Sequence, residues 1–351
     1  MGGHDERKAT IERRDLLKLG TAATFGYLAR GVVPDASASL PPLPVNPVTP
    51  SAMPTRNLGC TGYRVGIFSL GGQAAVEQPD NEAVAVPIVE KALDLGVNYI
   101  DTSARYGGAE RWSERYIGQV MKHRRSEAFL ATKTHDRTRD GSLKLLEKSL
   151  ELLQTDHVDL WQIHNLSKKE EVEQIFAPDG AVQALVKARE QGIVRFIGVT
   201  GHADPGVLME AIRRFPFDAV LMALNAADPH HLSFAKELLP LAVEKEMGII
   251  GMKIPARGRI LSTWTPPPPE QQRRGQVATR SGTITMREAI RYVLSLPVST
   301  VIVGCDTVAQ VEEDVQLARA FTPMSATQMA EITTRTEPVK RQALFFRRWE
   351  G

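Results

Sequence analysis

Short apolar runs alternate eight times with longer amphipathic stretches, and this alternation restricts the fold more than any other feature of the chain. The runs predict strands at 65–70, 97–101, 128–132, 158–163, 195–200, 219–224, 248–252 and 300–303. They are rich in Val, Ile and Leu and nearly continuous in hydrophobicity, as strands buried on both faces are. The intervening segments predict helices at 81–95, 109–124, 142–153, 181–191, 205–214, 233–245, 286–295 and 307–320. Gly96, Gly192 and Gly248 stand after three of these helices, where a left-handed residue ends a helix without a Cβ penalty. Eight strand–helix units imply an α/β fold, a (β/α)8 TIM barrel. Such a barrel closes as one domain of about 250 residues. A doubly wound sheet is the alternative, but the turn after the first strand reads Gly71–Gly72 and lacks the G-x-G-x-x-G pattern.

The N-terminus reads as an address. Arg13–Arg14, followed by Asp15, Leu16, Leu17 and Lys18, resembles the twin-arginine (Tat) export signal R-R-x-[FL]-L-K. A weakly apolar stretch, 19–33, leads to Ala36–Ser37–Ala38, small residues at the spacing a signal peptidase accepts. Residues 1–38 are therefore expected to be a Tat-type signal peptide. The mature chain is expected outside the cytoplasm, in the periplasm or an equivalent space, with the Tat export machinery as a partner. No stable membrane anchor is expected, because Arg30 and the glycines interrupt the ~20 apolar residues a span needs. The proline-rich segment 39–55 reads as an extended linker, 56–322 as the barrel, and 323–351 as a C-terminal extension packed through a helix with snorkelling arginines. The segment 262–282, with its proline run at 266–269 and Arg273, Arg274 and Arg280, is expected to form a long loop over the C-terminal barrel face.

Composition removes several classes of function. Lys and Arg number 43 against 41 Asp and Glu, a net charge of +2, which argues against nucleic acid as a partner. Two cysteines, Cys60 and Cys305, exclude a disulfide scaffold and a four-cysteine zinc site. They are expected at opposite ends of the barrel. His123, His135, His157, His230 and His231 lack the acidic spacing of a metal site and read as surface or loop residues. Glu110 and Glu114 read as solvated charges.

In a barrel, reactive side chains sit at the C-terminal ends of the strands. Those ends hold Asp101 after the second strand, Lys133 after the third and His164 after the fourth. Tyr106 lies five residues past Asp101, in GVNYIDTSARYGG. A phenol, an ammonium, a carboxylate and an imidazole at one mouth suit acid catalysis on a carbonyl, which takes a hydride at carbon and a proton at oxygen. A phenol near pKa 10 is a poor donor; lowering it three units requires ~4 kcal/mol. Lys133 is expected to favour the phenolate, Asp101 to keep Lys133 charged, and His164 to orient the substrate oxygen.

This pattern resembles the aldo-keto reductase superfamily. Its D-T-A-x-x-Y-G block is similar to Asp101–Thr102–Ser103–Ala104–Arg105–Tyr106–Gly107. Its strand-three lysine resembles Lys133 in FLATKT, and its strand-four histidine His164 in DLWQIHNL. Its S-E-x-x-I-G helix start resembles Ser113, Glu114, Ile117 and Gly118, and the opening LGCTGYRVGIFSLGG resembles its N-terminal hairpin and first strand, which implies such a hairpin before the barrel. The resemblance implies an enzyme, an oxidoreductase reducing an aldehyde or ketone, or oxidising the alcohol, with NADP, or NAD as the alternative, bound outside any Rossmann domain. Where the family holds the carboxamide with a Ser–Asn pair and a Gln, this chain offers Thr200, Gly201, His202 and Met222, with Asn225 further along. Lys253 and Arg257 are implied at the pyrophosphate. Gly304, Cys305, Asp306, Gln310, Glu313 and Asp314 are implied at the adenosine end. Asp306 there would repel a 2′-phosphate, which keeps NAD in view. The altered carboxamide contacts motivate the alternative of a regulatory or sensing module that binds cofactor with little catalysis. Trp112, Trp161, Trp264 and His202 are candidates for a substrate pocket.

Overall fold

The computed structural model describes residues 40–272 and 278–349. The signal-like segment 1–38, Arg273 and Arg274 lie outside the described residues. Eight parallel strands close into a barrel: β3 (Phe68–Gly71), β4 (Tyr99–Asp101), β5 (Phe129–Thr134), β6 (Val158–Ile163), β7 (Val194–Gly201), β8 (Ala219–Ala223), β9 (Gly248–Met252) and β10 (Thr300–Val303), with β10 returning to β3. The TIM barrel expected from the alternation is the fold. A hairpin, β1 (Thr55–Asn57) with β2 (Arg64–Gly66), precedes it.

Side-chain alternation divides the core into two layers. Tyr99, Phe129, Ala131, Leu160, Ala219, Leu221, Ala223, Ile250, Met252 and Ile302 fill the barrel interior, joined by Leu58, Tyr63 and Val65 of the hairpin. Tyr63 lies 4.7 Å from Phe129 between ring centroids and donates its hydroxyl to Asn98 O at 2.7 Å, so the hairpin closes the N-terminal end. The intervening strand residues, including Ile100, Leu130, Trp161, Ile163 and Met222, pack outward against the helices. The C-terminal strand ends are left as the open mouth.

The first strand expected at 65–70 is two strands. Arg64–Gly66 belongs to the hairpin, Ile67 turns the chain, and Phe68–Gly71 enters the barrel. All these residues but the first are buried, so the apolar run carries no mark of the break. The helix expected at 109–124 begins at Trp112, after Arg111 takes a left-handed φ of 54°. That expected at 233–245 begins at Leu238, because Asp228 accepts the Phe234 and Ala235 amides and holds the preceding turn. Gly96 and Gly192 end their helices left-handed as expected; beside Gly248 it is Glu246 that takes the positive φ, of 52°. Gly72 is required for a different reason: a Cβ there would lie 2.5 Å from Ser113 Oγ and 2.7 Å from Asp101 O.

Residues 40–54 are docked rather than free. Asn46 Nδ2 donates to Leu93 O at 2.8 Å, Thr49 Oγ1 donates to Gly96 O at 2.8 Å, and Thr49–Ala52 forms one helical turn. Beyond the barrel, a helix at Ala326–Thr336 leads to a short turn at Lys340–Ala343 and then a tail that crosses the mouth. No helix among the described residues is long and apolar enough to cross a membrane.

Candidate active site

Asp101, Lys133 and Gln162 are carried on the inward faces of β4, β5 and β6, and all three are buried. Lys133 Nζ pairs with Asp101 Oδ2 and donates to Thr102 O at 2.7 Å. Gln162 Nε2 donates to the other Asp101 oxygen at 3.3 Å. Lys133 Nζ lies 3.5 Å from the Tyr106 hydroxyl and 4.9 Å from the centre of its ring. His164 follows β6 and meets Tyr106 edge-on, with centroids 5.7 Å apart. The four groups read from the strand ends are thus gathered at one mouth.

Their electrostatics differ from the expectation in one respect. Burial, then Asp101 and Glu77, holds the Tyr106 phenol well above its ordinary pKa, so it is protonated in the resting site. The lowering expected from Lys133 is not found, because Lys133 is engaged by Asp101 and Thr102 O and its Nζ stands 3.5 Å from the phenol. Burial pushes the Asp101 carboxyl up and the Lys133 ammonium down, and each opposes the shift in the other. Burial, then Lys133 and His202, holds His164 well below the usual imidazole range, so it is neutral.

The block containing Ser113 and Glu114 braces this site. Ser113 Oγ and Thr102 Oγ1 are 2.7 Å apart, and Thr132 Oγ1 donates to Glu114 Oε1 at 2.7 Å. Glu114 is fully buried and paired with Arg111 at 3.4 Å, not the solvated charge expected from its helical pattern. Burial raises its pKa.

The residues read as cofactor contacts separate into groups. Thr200 faces inward at the end of β7; its Oγ1 accepts the Asn165 amide at 2.7 Å, leaving its own proton for an acceptor. Met222 does not face the mouth. It packs in the outer layer, and the inward position at the end of β8 belongs to Ala223. Asn225 is also engaged elsewhere: Nδ2 donates to Ala343 O at 3.2 Å, and Oδ1 accepts the Ala227 amide at 2.9 Å. Lys253 and Arg257 both adopt left-handed φ, 63° and 56°, in the loop after β9. Lys253 Nζ donates to Gln73 Oε1 at 3.1 Å across to the loop after β3. Gly304 follows β10, and a Cβ there would come within 3.1 Å of the Gln73 backbone. Asp306, Gln310 and Glu313 are exposed at the start of the next helix, with the Asp306 amide donating to Gln310 Oε1 at 2.6 Å. Cys305 and Asp314 are buried together, Sγ to Oδ2 3.8 Å. Cys60 is exposed and both thiols are free.

These residues fit a nicotinamide dinucleotide best at its phosphates. Burial, then Arg257, lowers Lys253 to about 8, and a bound anion would oppose both effects. At the carboxamide end Thr200 alone of the expected set offers a free donor. Among the described residues no His, Cys, Asp and Glu cluster suits a metal.

Burial, then Glu313, raises Asp314 from 3.8 to about 7. Between those values the folded chain holds a proton that the unfolded chain has released, so stability falls as pH rises through this window. Asp314→Asn is expected to remove that slope and to make the ligand-free protein more stable than wild type at pH 8, read by urea unfolding across pH. Parallel slopes in the two proteins would refute the assignment.

Sequence reasoning missed Gln162, Asn165 and the contact of Ser103 with His164, and it expected snorkelling arginines in the tail rather than a buried Arg347 at the mouth. Gln162 was findable, since it precedes His164 by two residues and shares its face. The tail was not. Arg347 is buried, paired with Asp228, and donates to the carbonyls of Ala223 and His202 at the ends of the neighbouring strands. Its neighbour Phe346 lies 6.1 Å from His202. His231 stacks on Trp349 at 3.8 Å, and His230 Nε2 lies 2.9 Å from Thr333 O, so both bind the extension down. Of the pocket candidates, His202 lies at the mouth and Trp264 lies near the Arg259 guanidinium, 6.0 Å away. Trp161 is outer core, and Trp112 stacks on Tyr116.

Comparison with known proteins agrees with this architecture. The sequence profile of the Aldo/keto reductase family matches residues 64–336. L-galactose dehydrogenase of Arabidopsis thaliana is 30% identical over 310 residues, covering 81% of this chain and 95% of that protein. The Aldo-keto reductase yakc [NADP(+)] of Schizosaccharomyces pombe is 32% identical over 184 residues, covering 48% of this chain and 51% of that protein. The holo form of aldo-keto reductase AKR11C1 from Bacillus halodurans superposes with a TM-score of 0.67 at 24% identity, over 81% of this chain and 97% of that one, a likeness of fold. The chain belongs to the aldo/keto reductase family and is an oxidoreductase that uses a nicotinamide cofactor to reduce a carbonyl compound.

Proposed function

We propose that the chain reduces a small hydroxylated aldehyde or ketone with NADP, Tyr106 giving the proton and His164 holding the carbonyl oxygen. One observation carries this reading: a phenol stands 3.5 Å from a buried lysine amine and edge-on to an imidazole, all at one mouth. When bound, the dihydronicotinamide supplies the hydride. Tyr106 protonates the oxygen as negative charge develops, and the Lys133 ammonium stabilises the phenolate left behind. Asp101 keeps Lys133 charged. In the direction of alcohol oxidation Tyr106 is the base. This machinery is complete, which favours turnover over a purely sensing role. The rim beside His164 is polar, formed by His135, Asn165 and His202, and suits a hydroxylated substrate better than a polycyclic one. The name of the plant relative, a sugar dehydrogenase, points the same way.

Lys253 and Arg257 would hold the pyrophosphate, Thr200 the carboxamide, and the stretch from Gly304 to Asp314 the adenosine. Arg257 and Arg259 both approach the Phe345 ring, within 5.9 and 4.6 Å, so the loop after β9 carries positive charge. That charge, and the NADP(+) in the yeast relative's name, support NADP; the exposed Asp306 is the feature favouring NAD. Quenching titrations are expected to show NADPH binding more tightly than NADH, and the protein to oxidise NADPH with para-nitrobenzaldehyde. Tighter NADH binding would make NAD the cofactor; no binding of either would refute the reading. The Arg13–Arg14 signal supports export. Mass spectrometry of the exported protein should find an N-terminus at Ser39; retention of Met1 in a cytoplasmic fraction would refute this.

A further inference from the structure

Ser103 stands where the family block has alanine, and its hydroxyl touches the catalytic imidazole. Ser103 Oγ lies 3.1 Å from His164 Nδ1, and both residues are buried. A neutral imidazole carries one proton, and the bond made by one nitrogen decides whether the other holds it. Two orientations are open to the pair: the hydroxyl donates to a bare Nδ1, or Nδ1–H donates to the hydroxyl oxygen.

The surrounding bonds choose between them. Ser103 Oγ already accepts the Arg105 amide at 3.2 Å. Its own proton needs an acceptor, and among the described residues Nδ1 is the acceptor within reach. Were Nδ1 to donate instead, the hydroxyl proton would be stranded in a buried site, at the cost of an unmade hydrogen bond. Burial and the neighbouring Lys133, His202, His135 and Arg137 keep the ring neutral, so the choice of tautomer is real. We propose that Ser103 is a positioning residue: its hydroxyl donates to His164 Nδ1 and so places the ring proton on Nε2, the nitrogen that meets the substrate oxygen.

The consequence concerns the carbonyl. An Nε2–H donates to the oxygen beside the Tyr106 hydroxyl, whereas a bare Nε2 would set its lone pair against that oxygen. Ser103 also orders the other partner, because its carbonyl accepts the Tyr106 amide at 3.0 Å. One residue thereby fixes the turn that carries the acid and the protonation pattern of the imidazole beside it. The inference rests on the proposed role of His164 and extends it.

The test reads the tautomer directly. Long-range nitrogen–proton correlation spectra of the 15N-labelled protein, with His164→Gln to assign the ring, are expected to show Nε2 protonated and Nδ1 bare. Ser103→Ala is expected to give a mixture of tautomers. It should also lower kcat with para-nitrobenzaldehyde about tenfold, the value of one hydrogen bond, while NADPH affinity is unchanged. Ser103→Thr, which restores the hydroxyl, is expected to restore both readings. A wild-type ring protonated on Nδ1, or a tautomer indifferent to Ser103→Ala, would overturn the inference whatever the rates. If the tautomer follows Ser103 but no carbonyl is reduced, the inference about the ring stands and the reductase reading fails.

Discussion

Tyr106→Phe is expected to lower kcat for carbonyl reduction by about 10²–10⁴-fold, the range over which a positioned general acid acts. Dinucleotide binding should be unchanged. The substitution removes one oxygen and leaves the ring that packs on Lys133 and His164. The phosphate contacts assigned to Lys253 and Arg257 lie on another loop. Because Tyr106 is held above its ordinary pKa by burial, wild-type reduction should show no loss from phenol ionisation through the neutral range. Single-turnover kinetics beside a fluorescence titration would separate the effects. Turnover within a few fold of wild type would remove the acid role from Tyr106, and an equal loss of cofactor affinity would show that the ring serves binding instead.

Asp228→Ala is expected to destabilise the protein by about 3–5 kcal/mol, the cost of stranding a buried charge. Arg347 and Asp228 form an ion pair with side-chain exposures of 0% and 1%. The guanidinium also sits 4.0 Å over the Phe234 ring. Burial lowers Arg347 to about 10 and Asp228, then Asp204 and Glu237, oppose the shift, so removing Asp228 leaves a buried cation without its ion-pair partner. The same carboxylate accepts Ser233 Oγ at 2.6 Å and two amides of the following turn, so that turn loosens with it. Urea unfolding measures the loss, and limited proteolysis should show earlier cleavage in the tail. Asp228→Asn with Arg347→Met, which removes both charges, should recover much of the stability. If Asp228→Ala alone costs less than ~1 kcal/mol, the tail is not latched by this pair.

The barrel and its tetrad were legible because each depends on local pattern. A strand buried on both faces must be apolar along its length, and a reactive group at the mouth must stand at a strand's C-terminal end. Asp101, Lys133 and His164 each stand at the end of an apolar run, so both rules are read within a few residues of chain. Register is less legible. The choice between Met222 and Ala223 for the inward position on β8 is a shift of one residue, and in a strand apolar on both faces nothing marks which side is which. Glu114 failed for a related reason: its partners Thr132 and Arg111 meet it only after strand and helix pack, so its burial has no signature in its own helix.

Chain order and side-chain chemistry determined by themselves that eight strands would close and that a phenol, an ammonium, a carboxylate and an imidazole would share one end. Tertiary structure alone decided how those groups are held. Ser103 meets His164 across 61 positions of chain, and Arg347 meets Asp228 across 119. Both contacts join segments brought together by barrel closure. Hydrophobic pattern is a property of neighbouring residues and survives in the sequence; a hydrogen bond between distant polar groups has direction and a partner, and neither exists until the chain has folded.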